Sequence, residues 1–455
     1  MITATAVEPH PLTTLMARHK PPLSAACYLK RVADRHQALG FGTMAHRKEK
    51  ASRWTQKGVT PERTALLAIA SLHGIDPSDI DRYGWPGFLL LALEDDRIVL
   101  ESPWTPAGTV NSLTDVGGPV DRRGFLIVST STLAAAVAQW STAEPALAVT
   151  SCGRRVGTEA TALFDVRLDA LRHLDDTVGA SHVYDAAVLE LQMVTDLLKT
   201  ASYTEETGRR LFAAAAEASR LAGWCAYDHG YHAAAERHFV SSLRASASAK
   251  NPTLGAATIA FWANLRYNAD DPQGAVHLID GALADRRKIS SPRVMAMLHA
   301  RAARAQSKAG DATAAWHHVD AAFDAYSRAD IPEADLPSMY WINHGELHQV
   351  AASSALSLGE PKRALANFDA ALTHADRYDT ERETRGTVIY QARKAEAHLA
   401  LGDVDAALDI GHQVITAMGG IDSARTTSTL EELRGQLAGH RHIPAVRDFL
   451  DYAAA

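Results

Sequence analysis

The sequence predicts an all-α protein, a small helical head followed by a superhelical solenoid of α-α hairpins. Three observations carry this. One set of small and turn residues recurs five times from residue 221 onward. Alanine is abundant and aromatic residues make up only 7% of the 455 residues, a composition that suits closely packed helices. Charge is divided unevenly: Arg18 to Arg63 hold eleven Lys/Arg against Asp34, Glu49 and Glu62, a local balance of +8 within a total of −7. The remainder therefore carries −15, and a basic head on an acidic body points to a polyanionic partner for the head. The plainer alternative is a solvated basic face.

Residues 1–20 hold no sustained period and read as a mobile arm. The head, residues 21–95, opens with "LSAACYLKRVADRHQAL", which places Ala26, Leu29, Val32 and Ala33 on one stripe. Gly40 and Gly42 interrupt it, a second helix covers Met44 to Gln56, and Gly58 terminates that helix. Thr60-Pro61-Glu62 reads as an N-cap with proline at the first helical position, opening a helix from Glu62 to His73. Asp76-Pro77 starts another, which runs into "YGWPGFLLLAL".

Residues 96–158 read as a connector, because "ESPWTPAGTVNSLTDVGGPV" is rich in Pro and Gly and supports no assigned element. A buried helix is expected within it near 121–140. There "VDRRGFLIVSTSTLAAAV" imitates a twin-arginine export signal, but it lies far from the N-terminus and is too short and polar to span a bilayer.

Residues 159–455 form the repeat domain. Two leading helices, "ALFDVRLDALRHLDD" and "HVYDAAVLELQMVTDLLKTAS", precede five copies of one pattern. Each copy has a small residue, a turn residue seven later and an Ala five beyond that. The small pairs are Gly223/Ala235, Ala263/Ala275, Ala303/Ala315, Ala352/Ala364 and Ala395/Ala407. The turn residues are Gly230, Asp270, Gly310, Gly359 and Gly402. A bulky residue follows the second Ala by four in four copies (Phe239, Ile279, Val319, Phe368), while the fifth has Gly411. Two antiparallel helices cross closely only where both present a tiny side chain, and each hairpin leaves an apolar face for the next to cover. This is the tetratricopeptide pattern at a pitch of 40, 40, 49 and 43 residues, longer than the usual 34 or so. "STLEELRGQLAGHRHIPAVRDFLDYAAA" reads as the terminal cap.

"SRWTQKGVTPE" is similar to the segment that ends the recognition helix of the Xre-type helix-turn-helix and turns into the next helix. Together with "GWPGFLLLAL", "VDRRGFL", "LAGWCAYDHGYHAAAERHF" and "AVRDFL", it makes residues 20–455 resemble actinobacterial regulators that join a divergent helix-turn-helix to a tetratricopeptide domain. The resemblance implies a cytoplasmic transcriptional regulator that binds double-stranded DNA. It places Arg47, Lys48, Lys50, Arg53, Gln56 and Lys57 on or just after the groove-entering helix, with Trp54 as the packing anchor. Arg and Gln can read base edges with paired hydrogen bonds, whereas Lys mainly neutralises phosphate. One departure is plain: the run from Ala45 to Trp54 is several residues short, so the positioning helix is lost or compressed. A non-DNA-binding scaffold or adaptor is the alternative.

The inner face of the array is the expected site for a peptide, small-molecule or protein ligand, with an ordinary solvated inner face as the plainer alternative. Its inward positions are Glu217, Arg220, Trp224, Tyr227, Asn264, Tyr267, Arg304, Glu346, Gln349 and Glu396. Two related heads would double the DNA contacts, so a homodimer is expected. Catalysis, cofactors and a membrane are not. "HGELH" sets His344 and His348 at a zinc-compatible spacing, yet Glu346 does not follow the first His as the zincin pattern requires. "GDATAAW" and "GDVDAAL" lack the Gly-Lys-Ser/Thr ending of a phosphate loop, and Cys27, Cys152 and Cys225 form no paired motif.

Overall fold

The computed structural model describes residues 10–18, 22–117, 130–144, 149–150, 153–328, 335–377, 384–418 and 423–453. Arg122 and Arg123 of the export-signal imitation, Cys152 and the arm residues 1–9 and 19–20 lie outside them. The described residues are helical almost throughout, an all-α architecture.

The head comprises α1 (Pro11–Arg18), α2 (Ala25–Ala38), α3 (Lys48–Gln56), α4 (Arg63–Leu72) and α5 (Pro77–Tyr83). Residues 11–18 are thus a helix rather than part of a mobile arm, because Leu12 is fully buried and Met16 nearly so. In α2 the buried stripe is Tyr28, Leu29, Val32, Ala33 and His36, while Ala26 is exposed. Ser24 caps this helix by accepting from the Cys27 amide at 3.2 Å.

Between α2 and α3 the link of residues 39–47 contains no helix. Gly40 and Gly42 both adopt φ +83°, and the Gly42 carbonyl lies 2.9 Å from His36 Nδ1, which folds the link back on α2. This delays α3 to Lys48, four residues after the expected Met44. Similarly α4 starts at Arg63: Glu62, not Thr60, holds the cap position, with extended backbone and no side-chain cap.

The stretch read as a connector is helical as well, in α6 (Glu94–Glu101) and α7 (Pro106–Val116). Pro106 opens α7 and Thr105 caps it, accepting from Gly108 N at 3.2 Å. The small residues serve packing: a Cβ at Gly108 would lie 2.1 Å from the Pro103 carbonyl oxygen. Thr109 and Ser112 each hydrogen-bond, at 2.8 Å, to Ser248 and Ser241 respectively in the repeat region. Next, α8 (Thr130–Thr142) occupies the later part of the expected 121–140 window and buries Leu133, Ala136, Val137 and Trp140.

Helices α9 (Thr158–Val178) and α10 (Ala180–Thr200) form the leading pair. A two-residue parallel ladder of β1 (Arg154–Arg155) on β2 (Ala201–Ser202) ties their ends. Five antiparallel hairpins follow: α11 (Glu205–Asp228) with α12 (His232–Ser248), and α13 (Pro252–Asn268) with α14 (Pro272–Ala284). Then come α15 (Pro292–Ala309) with α16 (Ala312–Tyr326), α17 (His344–Ser357) with α18 (Pro361–Thr373), and α19 (Thr384–Ala400) with α20 (Val404–Met418). Helices α21 (Ala424–Leu437) and α22 (Pro444–Tyr452) close the end.

All five turn residues are left-handed: Gly230, Asp270, Gly310, Gly359 and Gly402 have φ of 83°, 59°, 84°, 73° and 81°. The next residue caps the second helix in several hairpins; Asp271, Asp311 and Asp403 accept from the amides of Gly274, Ala314 and Ala406. The small pairs sit at the crossings, fully buried. A Cβ at Gly223 would meet Phe239 Cε1 at 2.8 Å, so this helix pair has no room for a methyl. In the fifth copy, Gly411 stands where the others have a bulky residue because Phe449 of α22 fills the space, 2.9 Å from where a Cβ would be. One contiguous apolar core runs from Leu12 in the head to Val350 in the fourth hairpin.

Candidate functional site

Two places concentrate chemistry. The first is α3, which buries Ala51 and Trp54 and turns its other sides outward. Trp54 is the anchor expected of it, meeting Trp85 edge-on at 6.1 Å between ring centroids. Arg47, Lys48, Arg53, Gln56 and Lys57 are exposed, and partly buried Lys50 lies over the Trp54 ring at 5.5 Å. None of the five cations forms an ion pair among the described residues. Gln56 is less free, since its Oε1 accepts from Ser52 Oγ at 2.6 Å. Glu49 is exposed in the first turn of the same helix and subtracts from its positive field.

The second is a cavity of about 150 Å³ inside the hairpin array. Six of the ten inward positions reach it: Arg220, Trp224, Asn264, Tyr267, Arg304 and Glu346. The other four are displaced from it. Glu217 lies behind, held by Arg220 at 2.8 Å and Arg172 at 3.3 Å, and those guanidiniums keep its buried carboxyl below the usual range. Tyr227 is buried against Asn268, whose Nδ2 donates to its hydroxyl at 2.9 Å. Gln349 and Glu396 are buried outside the lining.

The array closes on itself around this cavity. Arg385 of α19 reaches Asp175 of α9 at 2.8 Å and Asp228 at the end of α11 at 2.8 Å. Asp228 also accepts from Ser423 Oγ at 3.0 Å and lies 3.4 Å from Arg425 in α21. Tyr340 donates its hydroxyl hydrogen bond to Asp176 of α9. The early helices α9 and α11 are thus joined to the late helices α19 and α21 by charges that need each other, because losing one partner strands the rest. Sequence spacing could not reveal this, since Arg385 and Asp175 are 210 residues apart.

Seven arginines line the space, and four have carboxylate partners: Arg172 and Arg220 through Glu217, Arg385 and Arg425 through Asp228. Arg301, Arg304 and Arg393 form no ion pair among the described residues. Burial, and then repulsion from Arg393, pushes Arg304 down to about 10, and burial lowers neighbouring Lys308 to about 8. Glu346 accepts from Tyr390 Oη at 2.9 Å, and burial raises its carboxyl to about 7 despite attraction to Arg301.

The histidines of "HGELH" hydrogen-bond to different partners, although both rings lie against His374. His344 Nδ1 lies 3.1 Å from Asp376 and its ring stacks on His374 at 4.5 Å, while His348 Nδ1 lies 3.0 Å from Asn367 Oδ1. Among the described residues, no group of three His, Cys, Asp or Glu is placed to hold a metal ion. Likewise no described helix is long and apolar enough to cross a membrane. No family model matches this chain, and neither does any curated protein.

Proposed function

We propose that this chain is a DNA-binding transcriptional regulator, with a divergent helix-turn-helix head and a tetratricopeptide sensor that takes an effector inside its array. The observation that carries the DNA half is the exposed set Arg47, Lys48, Arg53 and Lys57, which the chain itself does not neutralise. Cations free of internal partners can release counterions from a duplex, which is the main source of affinity for DNA. The tetratricopeptide half is supported by the buried small pairs and the five left-handed turns.

An effector in the cavity would touch both ends of the closed array and so bias its shape. In a homodimer that bias reaches the spacing of two heads. Leu163, Val166, Leu189 and Met193 are exposed on α9 and α10, apolar surface of the kind a second copy covers. The unpaired thiols Cys27 and Cys225 suit the cytoplasm.

Genome-wide mapping of bound sites tests the reading. Wild-type protein should occupy discrete sites, and the variant carrying Arg47→Glu, Lys48→Glu and Arg53→Glu should lose them. Identical maps for the two would contradict it. A second reading, an adaptor that no longer reads DNA, is favoured by the helix-free link 39–47 and by exposed Glu49. Under that reading the triple variant retains protein partners, and wild-type protein occupies no sites.

A further inference from the structure

We infer that the cavity binds a small molecule consisting of one flat aromatic ring and one anionic head, a carboxylate or a phosphate. This rests on the array being a sensor and names what it senses.

The anion follows from unmatched charge. Arg301 and Arg304 stand three residues apart on α15 and share one face, and Arg393 joins them from α19. Arg304 spends Nη1 on the Ser353 carbonyl at 2.6 Å and on Ser357 Oγ at 3.0 Å. Arg301 donates to Tyr267 Oη at 3.2 Å, and its buried Nε has no partner among the described residues. Arg393 makes neither a hydrogen bond nor an ion pair there. Acids are near but fewer than the cations: Glu346 attracts Arg301 and Glu396 attracts Arg393 only at longer range, which leaves Arg304 with no acid at ion-pair distance among the described residues. Guanidiniums withdrawn from water without a counter-charge are costly. A carboxylate or phosphate oxygen pair fits their fork geometry and removes that cost.

The ring follows from the walls and the size. Trp224 meets Phe261 edge-to-face at 5.1 Å between centroids, and Phe261 meets Trp341 at 6.1 Å, so three rings already tile one side. A fourth ring extends that arrangement. Cations sit over those rings, Arg425 over Trp224 at 4.6 Å and Arg220 over Phe261 at 4.5 Å, and hold them in place. The volume is about 150 Å³, close to what a protein cavity needs to hold a benzene ring.

Calorimetric titration and thermal melts of the full chain with four probes test this: phenyl phosphate, benzoate, inorganic phosphate and phenol. One equivalent of phenyl phosphate or benzoate should bind and raise the melting temperature, the tighter of the two identifying the head. Inorganic phosphate and phenol should each bind at least ten-fold more weakly. Arg393→Gln should weaken the tighter probe at least ten-fold without lowering the ligand-free melting temperature, because Arg393 makes no hydrogen bond or ion pair among the described residues and repels Arg304. Inorganic phosphate or phenol binding as tightly as the ring-bearing anions would overturn the inference, as would unchanged affinity in Arg393→Gln or no binding by any probe. Retention of duplex DNA by the same preparation reads the regulator proposal separately. A chain that holds DNA but no probe loses only this inference, and one that holds a probe but no DNA loses only the other.

Discussion

Glu346 is buried with Tyr390 donating to it, and its carboxyl titrates near 7 instead of 4.5. A carboxyl that holds its proton more tightly in the folded chain adds stability below about 4.5 and loses it as pH rises through about 7. Glu346→Gln keeps an acceptor for Tyr390 and never ionises. The variant should therefore melt with wild type near pH 5 and a few degrees above it at pH 8; equal melting at both values would contradict the assignment. Several buried histidines act in the opposite sense. Burial lowers His10, His73 and His299 to about 4 and His238 to about 3, so both chains should lose stability together as pH falls below 6.5. At this scale the sequence was legible where the repeat period fixed a side chain's face, as for Arg304, Tyr267 and Trp224. Arg301 sits on the same helix face one turn before Arg304 and was findable by that period. Arg385 was not, because its role depends on where the far end of the array returns.

Hairpin turns make the element scale legible: a left-handed residue leaves one mark per copy, and the pattern of small residue, turn residue and Ala located all five. At Gly310 a Cβ would meet nothing, so Gly310→Ala isolates the conformational cost of φ +84°. That variant should lose about 1 kcal/mol of stability. Asp270→Gly should be neutral or stabilising, since the wild-type residue already bears φ +59°. Denaturant unfolding of both variants checks the pair, and equal effects of the same sign would contradict it. Other elements hid behind local signals. Pro106 and Gly108 read as loop residues, yet one opens α7 and the other lets it pack on Pro103. In the short α1 the stripe of Leu12, Leu15 and Met16 spans about one turn, too brief to stand out as a sustained period.

Across the whole molecule, the connector that follows the head is fastened to the array by Arg244, which is almost fully buried. Its guanidinium donates to the carbonyls of Val99 at 2.9 Å and Leu100 at 2.7 Å and also to that of Ser102, taking up orphan carbonyls at and just past the end of α6. Trp104 lies under it at 4.7 Å, and burial lowers the guanidinium to about 10. Arg244→Met should cost on the order of 3 kcal/mol, because several buried carbonyls lose their donor. Denaturant unfolding measures this, and a loss below about 0.5 kcal/mol would show the fastening to be slack. A head carried on a connector so fastened can transmit a change in the array to whatever it touches.

What the head touches decides the protein's role. The most direct test is the affinity of the full chain for duplex DNA as salt is raised. The duplex should be retained tightly at low ionic strength, with a log affinity that falls linearly with log salt. Replacing Lys48 by Gln should weaken binding at every sequence tried and reduce that slope by about one. No retention at low ionic strength, or retention that ignores salt, would contradict it.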